Sequence, residues 1–375
     1  ILMFQIACYI FALYWLLRSV DLLTKNSRVV LAVGLFMALS PLQLGWFRFV
    51  LTEPLAISIS IWFLAELFLS IAQKRLRILP LSIALAFSIY IRPDTAFMIL
   101  GLVPTTLYIY DTKKAFVKIL TVLILTSLPV SAWMVRNSFI GHDLLTKQVD
   151  YYPASPGYIN WWKTWVVNEY ERADIFFPIW VNNNYNYSKI KIHNSKYIND
   201  IEMIQAQNLV DQLKKYEGRT FPKNLDSQFQ KLYKEKIRDR SFFVNMAING
   251  ERALYLVFNP FSSWGMPFEL KDINKKKAYD ALKAQDFSYL SKLAKENYVA
   301  IIGKTTIFIY RLLLFFLLCL AILNLNYFKK PKTSVSELNI VILSVSLYFV
   351  ARLAFFVSLV NLESRYLIEA VVWIE

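Results

Sequence analysis

Residues 78–110 read ILPLSIALAFSIYIRPDTAFMILGLVPTTLYIY, and the fold turns on how this stretch is divided. These 33 residues would make one helix of about 50 Å, too long for a hydrocarbon core of about 30 Å. Split at Arg92-Pro93-Asp94 they make two short arms of about 21–24 Å each. Length leaves both options open, and charge decides between them. Lys74, Arg75 and Arg77 precede the stretch, and Lys113, Lys114 and Lys118 follow it. Cytoplasmic loops carry the excess of Lys and Arg. If both clusters face the cytoplasm, the chain crosses an even number of times between them. Residues 78–110 are then a hairpin with Arg92-Pro93-Asp94 at its outer tip.

The same parity extends outward. Arg18, Lys25 and Arg28 form a basic cluster before this region, and Lys329, Lys330 and Lys332 form one after it. Apolar runs at 1–17, 29–47, 54–72, 78–91, 95–110, 115–135, 303–326 and 338–360 are candidate spans, and another starts near Leu367. The expectation is an all-α polytopic integral membrane protein. Residues 1–137 form a module of about six spans, 138–302 an extracytoplasmic domain that is mainly α, and 303–375 a second, incomplete membrane module. The location expected is a bacterial inner or cell membrane, with 138–302 outside the cytoplasm.

Composition agrees. Apolar residues are 56% of the chain, against about 45–50% in a soluble domain, and charged residues are 18%. This argues against a disordered tail, a disulfide-rich secreted module and an ordinary cytosolic enzyme. Cys8 and Cys319 sit in apolar runs and make no disulfide framework. His142 and His193 are too few for a His-rich metal site. The net charge of +15 gathers beside apolar runs instead of in a stripe with a reader motif, so nucleic acid is not an expected partner. The chain opens at Ile1 and stops at Glu375 within apolar runs, which reads as a fragment of a longer protein.

The middle region divides into three parts. Residues 138–160 read as loop, with Gly141, Pro153, Pro156 and Gly157. Residues 158–200 are rich in Trp and Asn. Residues 199–256 read as helices from the spacing of Leu213, Tyr216, Phe229, Leu232, Tyr233, Ile237 and Phe242, punctuated by Pro222 and Gly250.

Ionisable groups at the edge of membrane spans are candidates for function. Glu53, just before Pro54, suits a helix first turn, where it complements the dipole, or else the floor of an outer cavity. Arg92 either pairs with Asp94 or headgroups in a turn, or holds a phosphate with its planar fork. Arg136, near Trp133, is a headgroup anchor or a substrate ligand. Glu363 and Arg365, before Tyr366, form a local salt bridge or contribute a phosphate ligand. Arg311, Arg352 and Glu66 are adequately explained by buried pairing or snorkelling. No Gly-rich phosphate loop, Gly-x-Ser-x-Gly, Cys-x-x-Cys or His-Glu-x-x-His motif is present.

The order Leu51-Thr52-Glu53-Pro54-Leu55, Ile91-Arg92-Pro93-Asp94, Trp133-x-x-Arg136-Asn137 and Glu363-Ser364-Arg365-Tyr366 resembles the polyprenyl-phosphate-sugar-dependent membrane glycosyltransferases of the GT-C fold. These include the protein O-mannosyltransferase and lipid A aminoarabinose transferase group. The resemblance runs over 1–160 and thinly over 225–375. It implies transfer of a sugar from a polyprenyl-phosphate carrier to a lipid, glycan or protein hydroxyl on the outer face. It also implies that 1–17 match the family's second span, so that the catalytic carboxylate lies upstream of Ile1. On this reading Glu53, Arg92 and Asp94 are the catalytic candidates, and Arg136, Arg365 and Tyr366 the substrate-binding ones. Glu53 is also a candidate for holding a divalent cation. No other cofactor and no metal ligand set is expected. Tyr152, Trp161 and Trp162 are candidates for stacking on sugars. Three other classes compete: a transporter or flippase, a ligase or polymerase of surface polysaccharide, and a non-catalytic scaffold.

Overall fold

The computed structural model describes residues 1–44, 52–140, 155–180, 185–238, 240–258, 272–323, 337–362 and 367–374, and every element among them is helical. Two compact units divide the chain. One comprises 1–136, 257–354 and 364–375, the other 137–256 and 355–363. The border expected at 302 therefore falls inside the first unit.

In the first unit, α1 (Leu2–Thr24) packs along α4 (Thr52–Ala72). Their C-terminal halves are joined by Glu66, which is buried on α4. It accepts from the indole nitrogens of Trp15 at 2.8 Å and Trp62 at 3.1 Å, and forms an ion pair with Arg77 at 3.1 Å. Between them lie α2 (Ser27–Ala38) and α3 (Pro41–Leu44). The apolar run expected to cross at 29–47 is thus interrupted. Pro41 has no N–H to donate, and its ring disfavours helical backbone at Ser40, so α2 stops short of spanning length.

The stretch 78–110 divides as charge parity requires. Helix α5 (Ile78–Ile91) ends at Arg92, a 3-10 turn covers Pro93–Phe97, and α6 (Met98–Ile109) follows. The Tyr110 hydroxyl accepts from the backbone N–H of Leu76 at 3.2 Å. The start of the first arm and the end of the second thus meet, which makes the segment a hairpin. Both arms pack on α4.

Helix α7 (Thr112–Phe139) leaves Phe116, Leu120, Leu123, Ile124 and Leu128 exposed, as a face turned to lipid would. With α1, α4, α15 (within Tyr298–Leu323) and α16 (Glu337–Leu359), it is one of five described helices long and apolar enough to cross a membrane. The short α17 (Ile368–Val371) follows α16 and is seated by Trp373. The Trp373 ring lies 4.4 Å from that of Tyr348, centroid to centroid, and its Nε1 donates to Ser60 Oγ at 2.8 Å. Ser60 in turn donates to the carbonyl of Glu369 at 3.0 Å. This seat needs Gly101. A Cβ there would stand 2.6 Å from the Trp373 ring.

The second unit is built on aromatic packing. Its helices are α8 (Pro156–Trp162), α9 (Glu169–Trp180), α10 (Asp200–Leu213), α11 (Lys223–Arg238) and most of α12 (Phe242–Phe258). Trp161, Trp162 and Trp165 are fully buried with Tyr158 and Phe229, so the two tryptophans proposed to stack on sugars form the core instead. Pro156 and Gly157, read as loop, open α8: proline suits the first helical turn, whose N–H groups have no partner inside the helix. Gly157 lets α8 lie against α11, because a Cβ there would fall 2.1 Å from the Asp226 carbonyl. Gly250 does not punctuate the helices but lies inside α12. Ile237 and Phe242, two of the apolar positions whose spacing indicated helices, are exposed. Helices α13 (Asp272–Lys283) and α14 (Phe287–Glu296) belong to the first unit and precede α15.

Candidate functional site

Four separate elements of the first unit deliver charged side chains to one place. Glu53 comes from the first turn of α4, Arg92 and Asp94 from the tip of the 78–110 hairpin, Arg352 from α16 and Glu369 from α17. Arg92 Nη1 lies 3.8 Å from Glu53 and 2.9 Å from Glu369, and its Nε donates to Asp94 at 3.4 Å. Arg352 Nη2 donates to Asp94 at 2.5 Å and to Glu369 at 2.8 Å, and its Nη1 to the Tyr348 hydroxyl at 2.5 Å. Glu53, Arg92, Arg352 and Glu369 are all buried.

Local sequence explains each arrival. Pro54 stands in the first turn of α4, where its missing N–H costs nothing, and fixes Glu53 beside the free amides there. Pro93 stops α5, and Arg92 takes an extended backbone (φ −149°, ψ 106°) that turns its side chain out of the helix path. The Thr95 hydroxyl locks that turn by donating to the Arg92 carbonyl at 2.6 Å. Helix α4 then sets about 30 Å between Glu53 and the basic residues Lys74 and Arg75 beyond its other end. The cluster and the basic loop therefore lie a bilayer core apart.

Of the residues singled out from sequence, Glu53, Arg92 and Asp94 converge. Their pairing is denser than either expected reading of Arg92, since the guanidinium is held by three carboxylates and not by Asp94 alone. Arg136 is exposed near the end of α7 and forms no ion pair among the described residues. Tyr152, Glu363, Arg365 and Tyr366 lie outside the described residues. Arg352 pairs inside the protein, as expected of a cation in a span, but with the candidate residues themselves. Glu369 was not singled out. An acid in the apolar run that begins at Leu367 was the available signal, because a buried charge requires a partner.

Among the described residues the cluster holds three carboxylates against two guanidinium groups. Each carboxylate faces a guanidinium, and among the described residues no three metal-ligating side chains are placed to hold one ion. This donor set does not suit a divalent cation, which would stand beside two fixed positive charges. No protein-family model, curated protein or solved structure matches this chain.

Proposed function

We propose that the protein is a membrane glycosyltransferase that moves a sugar from a polyprenyl-phosphate carrier to an acceptor hydroxyl on the outer face of the membrane. The observation that carries this reading is the approach of Glu53 and Arg92, from separate helices, to 3.8 Å inside a buried charge cluster. In the reaction the acceptor oxygen bonds to the anomeric carbon. The bond from that carbon to the phosphate oxygen breaks, and its electron pair leaves with the lipid phosphate. The hydroxyl proton passes to a carboxylate, a step worth about 10²–10⁴-fold.

Arg92 and Arg352 are the groups suited to the charge that grows on the departing phosphate. Guanidinium groups held in place before the reaction need no reorganisation during it. Glu53, Asp94 and Glu369 do that holding, and a phosphate would take the place of a carboxylate on the same planar fork.

The test is transfer in detergent from a polyprenyl-phosphate sugar. Arg92→Ala is expected to abolish turnover while the protein still inserts, and Arg92→Lys to recover little, since an ammonium lacks the fork. Normal turnover by Arg92→Ala would remove the cluster from the site. A second reading, a transporter or flippase, is favoured by one observation. Arg352 lies about two turns inside the end of α16, and ionisable groups at such depth mark transport paths. Substrate movement across sealed vesicles without sugar transfer would favour it.

A further inference from the structure

The second unit has a cavity of about 860 Å³, a volume typical of small-ligand sites. It opens between the segment before α10 and the junction of α11 with α12. Tyr197, Ile201, Phe243 and Val244 supply apolar lining. Asn199, Gln205, Glu235 and Ser241 add polar groups that between them donate and accept. Among the described residues all of its charged groups but Arg240 are paired with an opposite charge inside the protein. Lys236 donates to Glu202 at 2.8 Å, Glu202 also accepts from Trp161, Lys196 pairs with Glu251, and Glu235 lies 3.9 Å from Lys231. Arg240 is tied through Nη2 to the Thr164 carbonyl at 2.9 Å, and its buried Nε has no acceptor among the described residues. At the rim Phe243 is 79% exposed and Ile201 71%.

This combination narrows the ligand. A nucleotide or acidic peptide carries several negative charges against the single guanidinium of Arg240 left without a carboxylate, and a lipid chain needs apolar lining on all sides. A pyranose presents a C–H face to an aromatic ring and an edge of hydroxyls that donate and accept. We propose that this cavity binds a neutral oligosaccharide, with Phe243 and Tyr197 against the sugar faces and Gln205, Asn199 and Arg240 at the hydroxyl edge. The proposal is independent of the transferase reading, because binding is measured without turnover.

The test uses the full chain in lipid nanodiscs on a broad array of neutral and acidic glycans and peptides, followed by titration of the best-retained neutral oligosaccharide. Retention of neutral glycans is expected. Phe243→Ala and Gln205→Ala, both at exposed positions, should each weaken binding about tenfold, as for truncation of an anchor residue. Met246→Ala, exposed but outside the cavity, should leave binding unchanged. Retention of no glycan, preference for acidic glycans or peptides, or binding indifferent to Phe243→Ala would each overturn the proposal.

Discussion

Arg352 of α16 donates from one nitrogen, Nη2, to two carboxylates, Asp94 at 2.5 Å and Glu369 at 2.8 Å. The side chain has no access to solvent. A span helix, a hairpin tip and the segment after the span are thereby fastened by one cation. In a medium that cannot solvate charge, such a fastening costs little while complete and much once a partner is lost.

The cost of breaking it should be asymmetric. Arg352→Met leaves the buried Glu369 and the partly buried Asp94 to share Arg92 alone, and should destabilise by about 3–5 kcal/mol. Glu53→Gln removes one acid from a cluster with more acids than guanidinium groups among its described residues, and should cost less than about 1 kcal/mol, the size of a single hydrogen-bond change. Thermal unfolding in detergent checks both. Equal losses would show that the charges are not coupled as described.

Two glycines should respond in opposite directions. Gly101→Ala pushes a methyl to 2.6 Å from the Trp373 ring and should destabilise by about 1–3 kcal/mol. Gly250→Ala meets nothing within 4 Å and lies inside α12, so it should stabilise by up to about 1 kcal/mol. The same thermal assay decides.

Alkaline pH should loosen the second unit. Burial holds the Tyr158 hydroxyl well above its ordinary value of 10.0 and raises that of Tyr187. Both stay protonated in the folded unit when the unfolded chain has ionised. Their stabilisation is complete below pH 10 and is lost as pH rises from there towards the folded values. Lys163 acts in the opposite sense, because burial and the nearby Arg252 and Arg172 lower it. Urea unfolding followed across pH 9 to 12 should show falling stability, with a shallower fall in Tyr158→Phe. A curve that rises throughout would contradict this.

Much of the first unit was legible in the sequence, for a physical reason. A bilayer demands long apolar runs and places basic loops on one side, so the hairpin at 92–94 followed from counting charges. Glu53, Arg92 and Asp94 were legible because ionisable groups beside spans are costly. The break at Ser40-Pro41 was visible as a proline but was outweighed by the hydropathy around it. Glu369 was hidden because its apolar neighbours marked a span. The second unit was harder to read. Its tryptophans look the same in sequence whether they face a sugar or each other, and only packing shows that Trp161 and Trp162 are core.

The seat of Trp373 against Gly101 has a practical consequence. Glu369 reaches both guanidinium groups because an indole four residues later occupies space that any side chain at position 101 would claim. Girth at that one uncharged site is thus a dial on the electrostatics of the cluster, and graded substitutions there could shift its acid without altering a single charged residue.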